Sequence, residues 1–475
     1  MSQAPAKFDP GYFKKKKACV IGLGRSGVAA AGLLKKKGFK VFATDLRPRA
    51  EVRAGLGRLA SAIEWEAGRH GDRALKCGFA VKSPGLPPHA EILKKLKEKG
   101  IPVFSELEVA LAFAPKVEVI AVTGTNGKTT TTALATEIFK RAARKGRHVY
   151  TCGNIGLPIS EVVQKAKPGD TLVIEASSYQ LEDSRFFQPQ AAAVLNITAD
   201  HLDHHGGMSS YIEAKARVFR HQGPGQACVF NSGDPLTMKL SRRCRGRRLF
   251  FGPPGPVANA WAAKGKIHLR LPGKKEVLVD PPKLPGTHNL ENAMAACLLA
   301  LSRGVPLPAL RAGLKAFRGV EHRLEEAGLS KGLRCINDSK ATNVDSTLVA
   351  LKALADDPKA QPAAGRGKVL VILGGLHKGS PYAPLRGLLQ THAKCVLTIG
   401  SAARKIEEEL GGVVHVFPCG DLATAVDTAF KVGEPGEILL LSPACASFDQ
   451  FRDFEDRGRR FKELIKAAGG GKTGR

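Results

Sequence analysis

The stretch Val117-Glu118-Val119-Ile120-Ala121-Val122-Thr123-Gly124-Thr125-Asn126-Gly127-Lys128-Thr129-Thr130 decides the fold. Its first half is short, apolar and rich in β-branched residues, which predicts a buried strand. Its second half is a turn holding two glycines, followed by a predicted helix over Thr131–Lys140. A glycine-containing strand-to-helix turn aims backbone N–H groups at a phosphate, and the helix dipole adds to the attraction. Lys128 can reach the β- and γ-phosphates, and the Thr129 hydroxyl can ligate Mg²⁺. The strict pattern GxxxxGK[ST] needs glycine at position 122, where Val122 stands, so this is a shortened variant. An ordinary turn with an incidental lysine is the competing reading, and the strand–loop–helix context disfavours it.

Working outward, short apolar runs alternate with longer amphipathic ones. Before the loop come Ala18–Leu23, Val41–Thr44, Phe79–Val81 and Val103–Phe104, with helices over Val28–Lys37 and Glu91–Lys99. After it come Thr171–Ile174, Ala191–Leu195 and a helix over Asn289–Ser302. A third series holds Leu333–Ile336, Val369–Leu373, Cys395–Ile399 and Ile438–Leu441. Such alternation predicts βα units and parallel sheets. The chain has 475 residues, and at about 150 residues per domain that is about three domains. The expected boundaries give domains 1–112, 113–319 and 320–475. Residues 1–17 read as a basic mobile arm, Pro253–Pro256 and Pro281–Pro285 as turns in an irregular part of the middle domain, Ala360–Lys368 as a loop and Ala467–Arg475 as a loose tail.

Composition excludes several classes. Apolar residues make up 43% and charged residues 24%, which rules out wholesale disorder, a collagen-like fibre and a small disulfide scaffold. No window approaches the roughly 18 uninterrupted apolar residues of a membrane span. Lys and Arg total 73 against 43 Asp and Glu, a net charge of +30, and such a field attracts anions. Residues 1–112 carry 22 basic and 10 acidic side chains, residues 113–319 carry 29 and 14, and residues 320–475 carry 22 and 19. The excess therefore lies where polyanionic ligands would bind, although solvated lysines of a generally basic proteome explain it equally. The ten cysteines include no CxxC pair, which fits scattered reduced thiols rather than zinc or a disulfide framework. The run Lys14–Lys17 followed by Ala18–Leu23 superficially resembles a signal peptide. Arg25 ends it and no small-residue cleavage site follows, so no targeting segment is expected.

Four further features carry chemistry. Glu175 ends the strand Thr171–Ile174, and strand C-termini in open α/β sheets are where ligands and metals sit; a helix-start acid is an equal reading. Asn196-Ile197-Thr198-Ala199-Asp200-His201-Leu202-Asp203-His204-His205-Gly206 also follows a strand, and its Asp and His residues suit a divalent site, while a polar loop with a helix cap is the plainer account. Lys215, on a predicted helix Ser210–Arg220, is by spacing alone one surface lysine among many. Gly22-Leu23-Gly24-Arg25-Ser26-Gly27 follows a strand and opens a helix, with Asp45 at the end of the next strand, which is a dinucleotide layout. A dehydrogenase reading does not explain the phosphate loop about a hundred residues later; a nucleoside diphosphate bound at this turn explains both.

Together these segments resemble the Mur ligases, ATP-dependent amide-forming enzymes of peptidoglycan synthesis. Thr123–Thr130, Glu175, Asn196–Asp203, His288–Ala296 and Glu321-His322-Arg323 stand in that family's order and spacing, and the motifs span Gly22 to Phe454. Asn337–Asn343, Gly374-Gly375 with Lys378, and Ser442–Phe451 resemble the branch that adds D-glutamate. The Asn-Pro-Arg element of the diamino-acid-adding branch is absent from the sequence, as is the His-rich segment of the L-alanine-adding branch. The resemblance implies an α/β fold of three domains: an N-terminal Rossmann-like UDP-binding domain, a central P-loop ATPase-like parallel sheet and a C-terminal Rossmann-like domain.

It also implies the site. Gly24, Arg25, Ser26, Gly27, Asp45, Arg47, Ser83, Pro84, Gly85, Asn154 and Gln180 would bind UDP-N-acetylmuramoyl-L-alanine. Gly124, Thr125, Asn126, Gly127, Lys128, Thr129, Thr130, Asn292, Arg323 and Asp338 would bind ATP. Lys340, Thr342, Lys378, Ser447, Phe448 and Phe454 would bind D-glutamate, whose two carboxylates suit cations and hydroxyl donors. Two Mg²⁺ ions would be held by Thr129, Glu175, His201 and a carbamylated Lys215. Lys128, His201 and Lys215 are the expected catalytic residues. The implied reaction makes an acyl phosphate from the L-alanyl carboxylate and ATP, which the amine of D-glutamate then attacks. The accompanying expectations are a cytoplasmic monomer, small-molecule substrates, no obligate nucleic acid and no membrane insertion. A nucleic-acid-dependent NTPase is the rival favoured by the charge and by the run Arg242–Arg248, read here as a solvated loop. Aromatics are only 6%, and no stacking platform of alternating aromatic and basic residues is visible.

Overall fold

A computed structural model shows three β-sheets in chain order and describes residues 7–284, 286–357, 360–362 and 367–469. The first sheet contains β1 (Ala18–Ile21), β2 (Val41–Asp45), β3 (Glu64–Ala67), β4 (Phe79–Lys82) and β5 (Val103–Ser105). All pair in parallel, in the order β3-β2-β1-β4-β5. β1, β2 and β4 are buried along their whole length. That is why they read as continuous apolar runs: a parallel sheet is covered on both faces.

The second sheet runs through β6 (Glu118–Thr123), β7 (Val149–Gly153), β8 (Thr171–Glu175), β9 (Ala191–Val194), β10 (Ala227–Asn231), β11 (Arg247–Phe251), β12 (Ala260–Ala263), β13 (Lys266–Leu269) and β14 (Val277–Val279). Its order is β14-β13-β12-β11-β10-β9-β6-β8-β7, parallel from β7 to β12 and antiparallel at β12–β13–β14. The chain leaves β6 toward β7 and β8, then crosses to β9 on the other side. β6 thus marks a switch point, where ligand crevices form at strand C-termini. The meander β12–β14 occupies much of the segment expected to be irregular. Its strands are three or four residues long and mixed in polarity, too short for periodicity to reveal. The run Arg242–Arg248, expected to be a solvated loop, supplies the first two residues of β11, and Arg247 donates to the Ser302 carbonyl at 3.0 Å.

These two sheets share one compact unit, which also takes residues 291–317. Leu33 and Leu107 lie in the same apolar cluster as Ala121, Ile159 and Ile174. Buried polar ties reinforce the packing: Ser160 donates from its backbone N and its Oγ to Glu106 Oε1 at 2.8 and 2.6 Å, and Lys82 Nζ meets Asp183 Oδ2 at 2.7 Å.

The other unit takes residues 283–290 and the third sheet. That sheet is β15 (Glu325–Ser330), β16 (Leu333–Asn337), β17 (Val369–Gly374), β18 (Ala393–Ile399), β19 (His415–Gly420) and β20 (Ile438–Leu441), in the order β15-β16-β20-β17-β18-β19. Only β15 is antiparallel. Val369, Val371 and Leu373 point into one core while Leu370 and Ile372 point into the other, as the period-two pleat requires.

The basic arm differs from expectation. A short helix, Pro10–Phe13, is capped by Asp9, and Phe8 and Phe13 are buried among Phe79 and Phe104 with ring centroids 4.9 to 5.5 Å apart. Burying two aromatic rings outweighs the tendency of the flanking lysines to remain solvated. Residues 1–6 lie outside the described residues. The tail differs too: Ala467–Gly469 complete a helix from Phe454, and residues 470–475 lie outside the described residues. Part of the expected loop Ala360–Lys368, residues 363–366, also lies outside them. No helix among the described residues is long and apolar enough to cross a membrane.

Candidate active site

The phosphate loop forms because Thr123 ends β6 and Lys128 opens a helix running to Ala142. Gly127 caps that helix in the left-handed conformation, φ 82°, which a side chain would strain. A β-carbon there would also run into the Asn292 amide. Asn196, just past β9, pins the loop. Its Oδ1 accepts from the backbone N of Thr125 (3.1 Å) and Asn126 (2.8 Å), and its Nδ2 donates to Asn126 O at 3.1 Å. Thr125 Oγ1 lies 3.0 Å from the Tyr211 hydroxyl and receives the Thr198 N–H at 3.0 Å. Thr129 and Thr130 lie on the first helical turn and are buried. Lys128 folds back on the loop, donating to the carbonyls of Gly124 (3.0 Å) and Thr125 (2.7 Å).

Lys215 is not a surface lysine. It lies on the helix Met208–Ala216, its side chain is fully buried, and Nζ donates to Gly124 O at 2.7 Å and sits over the Tyr211 ring at 4.3 Å. Burial, and after it the nearby Lys128 ammonium, pushes its amine well below the ordinary lysine range, with Asp200 opposing. Two lysine side chains thus share one carbonyl at the phosphate loop.

Glu175, the last residue of β8, is paired in register with Val122 of β6. Its Oε1 accepts Asn154 Nδ2 at 2.7 Å, whereas the buried Oε2 has no hydrogen-bond partner among the described residues. A buried carboxylate oxygen left unpaired is costly, and an oxygen-seeking divalent cation satisfies it. His201 takes a left-handed backbone, φ 55°. Its Nδ1 lies 2.9 Å from the Tyr179 hydroxyl and its Nε2 3.5 Å from Asp200 Oδ2. Glu175 Oε2, the Thr129 hydroxyl and the His201 imidazole are each donors of a kind that suits Mg²⁺.

At the first sheet, a β-carbon on Gly27 would overlap the Gly22 carbonyl, and one on Gly22 would crowd Ser83. The turn Gly22–Gly27 can therefore close tightly only with glycine at both places. Gly24 precedes the helix Arg25–Lys36, with Ser26 and Gly27 on its first turn. Asp45 receives Leu23 N at 2.5 Å and a two-pronged contact from the Arg47 guanidinium at 3.0 and 3.1 Å. Burial alone would raise the Asp45 carboxyl, but Arg47 and the backbone N–H donors outweigh it and hold it low. Ser83 N donates to Ile21 O, opening the Ser83-Pro84-Gly85 turn beside β1. Arg25 reaches the Gly156 carbonyl at 2.8 Å, two residues from Asn154. Gln180 is engaged in a capping box with Ser177.

In the other unit, Asp338 is buried at the end of β16. It accepts from Leu324 N (3.2 Å) and Ser442 Oγ (2.9 Å). Burial raises its carboxyl to about 6, against the opposing pull of Arg323. His288 is pushed down to about 4 by burial and by Arg323. Lys340 Nζ stands 4.8 Å over the Phe454 ring, and Thr342 N donates to Lys340 O. Ser447 is buried beside Cys445, whose thiol feels Lys378. Phe448 stands apart, 68% exposed.

Sequence reasoning overlooked Arg457. Its fully buried guanidinium donates to Ser339 Oγ (3.0 Å), Ser339 O (2.8 Å) and Cys445 O (3.2 Å). It therefore ties together the two loops that hold Asp338, Lys340 and Ser447. Nothing local marks it, because its helix carries several other charges. Asn196 carried a usable signal: an amide placed directly after a strand, opposite a phosphate loop.

Three family descriptions match the chain: "Mur ligase MurD-like, N-terminal domain" over residues 16–105, "Mur ligase middle domain" over 122–300 and "Mur ligase, glutamate ligase domain" over 322–445. The chain is 45% identical over 469 residues to the UDP-N-acetylmuramoylalanine–D-glutamate ligase of Elusimicrobium minutum, covering 97% of this chain and all of that one. It is 41% identical to the protein of the same name from Anaeromyxobacter dehalogenans, covering 95% and 97%. Among solved structures it resembles the UDP-N-acetylmuramate-alanine ligase MurC of Thermotoga maritima, with a TM-score of 0.59, 20% identity and coverage of 95% and 100%. It also resembles MurF of Acinetobacter baumannii, with a TM-score of 0.59, 20% identity and coverage of 89% and 91%. At these identities the solved structures establish the fold alone.

Proposed function

The chain belongs to the Mur ligase family, and from that premise we propose that it adds D-glutamate to UDP-N-acetylmuramoyl-L-alanine with hydrolysis of ATP, a step of peptidoglycan precursor synthesis. The observation that carries this reading is the 45% identity to a D-glutamate ligase across 97% of the chain. The N-terminal 1–112 segment takes the UDP substrate, 113–319 takes ATP, and 320–475 takes the amino acid.

An amide forms from a carboxylate only after the carboxylate is activated. The L-alanyl carboxylate attacks the γ-phosphate of ATP, giving an acyl phosphate and ADP. The D-glutamate amine then attacks the acyl carbon, and orthophosphate leaves with the former carboxylate oxygen. Two anions must meet in the first step, so its barrier is largely electrostatic. Lys128 leaves the Gly124 and Thr125 carbonyls for the β- and γ-phosphates, while the N–H groups at the start of the helix that Lys128 opens cradle them. Thr129, Glu175, His201 and Lys215 once carbamylated would hold Mg²⁺, which when bound would supply charge neutralisation at the transferring phosphoryl group. Burial and the neighbouring Lys128 favour the neutral form of the Lys215 amine, which would add to CO₂: the N–C bond forms, one proton is lost, and the neutral amine becomes an anionic, carboxylate-like ligand. His201 is the candidate base for the D-glutamate amine. Asn292 with Arg323 and Asp338 bind the nucleotide. Lys340, Thr342, Lys378, Ser447, Phe448 and Phe454 bind D-glutamate, with the cations among them facing its carboxylates. Gly24–Gly27, Asp45, Arg47, Ser83–Gly85, Asn154 and Gln180 hold the UDP substrate. The protein works as a cytoplasmic monomer.

An amino-acid panel assayed by phosphate release, with UDP-N-acetylmuramoyl-L-alanine and Mg-ATP, tests the substrate. D-glutamate alone should support turnover. Equal turnover with L-alanine, a diamino acid or D-alanyl-D-alanine would overturn the reading.

A further inference from the structure

Tyr382 lies outside every role assigned above, yet its hydroxyl joins the two loops that carry Lys378 and Ser447. It follows the turn at the end of β17 and is buried. The hydroxyl lies 3.0 Å from Cys445 Sγ on one side and 2.9 Å from His377 Nδ1 on the other. The backbones of the same loops also meet: Leu376 N donates to Ala446 O at 2.8 Å, and Ala446 N to Leu376 O at 3.1 Å. Beyond His377 the chain runs exposed through Lys378, Gly379 and Ser380, and Gly379 is left-handed at φ 85°. Glycine gives that stretch backbone freedom, so His377 is the anchored neighbour that fixes where Lys378 begins.

The direction of these bonds follows from Lys405, on the helix Ala403–Leu410. Its Nζ lies 3.0 Å from His377 Nε2. An ammonium donates and cannot accept, so Nε2 holds the lone pair and Nδ1 the proton. Burial, followed by the Lys405 charge, lowers His377 below the ordinary histidine range, with Glu409 opposing, and the ring is neutral at neutral pH. Nδ1–H therefore donates to the Tyr382 hydroxyl, whose own proton is left for Cys445 Sγ. Burial, followed by the Cys445 thiol, pushes that hydroxyl up, so it keeps its proton. Glu409 closes the circuit: its Oε2 accepts Tyr382 N at 2.6 Å, and its Oε1 lies 3.9 Å from Lys405 Nζ.

We propose that Tyr382 is a positioning residue for the amino-acid substrate: by accepting from His377 and donating to Cys445, its hydroxyl sets Lys378 and Ser447 at a fixed spacing for the substrate's carboxylate. The inference rests on the proposed function for the identity of that substrate. The brace is specific to these loops, because the ring itself is held separately, in the same apolar cluster as Leu385, Leu389 and Ile406. Removing the hydroxyl therefore loosens the spacing without emptying the core.

Tyr382→Phe tests this in the full-length enzyme. KM for D-glutamate should rise about tenfold, the size of one lost hydrogen bond. The kcat and the KM values for ATP and UDP-N-acetylmuramoyl-L-alanine should stay within about twofold, since only amino-acid binding is affected. His377→Leu should also raise KM for D-glutamate, and the double variant should fall short of the product of the two single effects, because both delete the same contact. Labelling with ¹⁵N-histidine, with the His377 signals identified by their loss in His377→Leu, reads the brace without turnover. The wild type should show a protonated Nδ1 and a pyridine-type Nε2, and the Nδ1 proton should exchange with solvent about tenfold faster in Tyr382→Phe. A proton on Nε2 in the wild type would overturn the proposal. So would an unchanged KM for D-glutamate, a parallel rise in all three KM values, a double variant equal to the product of the singles, or unchanged proton exchange. Should another amino acid be ligated instead of D-glutamate, that failure belongs to the proposed function, and the selective rise is expected in KM for that amino acid.

Discussion

Replacing Lys215 with alanine is expected to lower the rate of D-glutamate addition about a thousandfold, the upper range for removing one electrostatic stabiliser of a transition state. The side chain is buried, its Nζ donates to Gly124 O at 2.7 Å, and it stands near Lys128. A second full positive charge there would compete with Lys128 for the loop and repel Mg²⁺. Conversion to a carbamate removes that conflict and places an anion where a metal needs an oxygen donor. Alanine removes both the amine and the carbamate. A short carboxylic acid such as formate or acetate should then enter the space and restore a measurable part of the activity. Steady-state phosphate release with and without the acid checks this. Activity within about threefold of wild type would exclude a role of that size, and absence of rescue would remove the carbamate from the account.

Replacing Arg457 with methionine is expected to destabilise the unit that contains it by about 3 to 5 kcal/mol, because a buried polar network loses its central donor. The acceptors that lose this donor are Ser339 Oγ, Ser339 O and Cys445 O. Burial draws the Arg457 guanidinium down to about 10, which still leaves it charged at neutral pH, so its loss also removes a cation near Asp338 and Asp449. For a unit of this size, that cost corresponds to a fall in melting temperature of about 10 °C. Calorimetry of the full chain measures it. Because the same guanidinium ties the Asp338–Lys340 loop to the Cys445–Ser447 loop, KM for D-glutamate should rise in whatever fraction remains folded. A melting temperature unchanged within about 2 °C would show that the network contributes little.

The two sites differ in how readily sequence reveals them. The phosphate loop was legible because its chemistry is local: a strand, two glycines, a lysine and a threonine in eight consecutive residues. The parallel sheets were legible because strands buried on both faces are uninterrupted apolar runs, as in Ile438–Leu441. Lys215 was legible only through the family resemblance. Nothing near it in sequence distinguishes it from the other basic residues, and its burial arises from contact with Gly124 and Tyr211. Arg457 was not legible at all, since its partners Ser339 and Cys445 come from separate loops and the neighbouring arginines of its helix are solvated. The arm misled for the converse reason: four consecutive lysines dominate its composition, while two phenylalanines determine its position.

The central claim is that the L-alanyl carboxylate becomes an acyl phosphate. It is tested most directly by supplying UDP-N-acetylmuramoyl-L-alanine labelled with oxygen-18 in that carboxylate and analysing the orthophosphate released during ligation. The account predicts that each orthophosphate carries one labelled oxygen, transferred when the amine displaces phosphate. Unlabelled orthophosphate formed in step with the D-glutamyl product would contradict it.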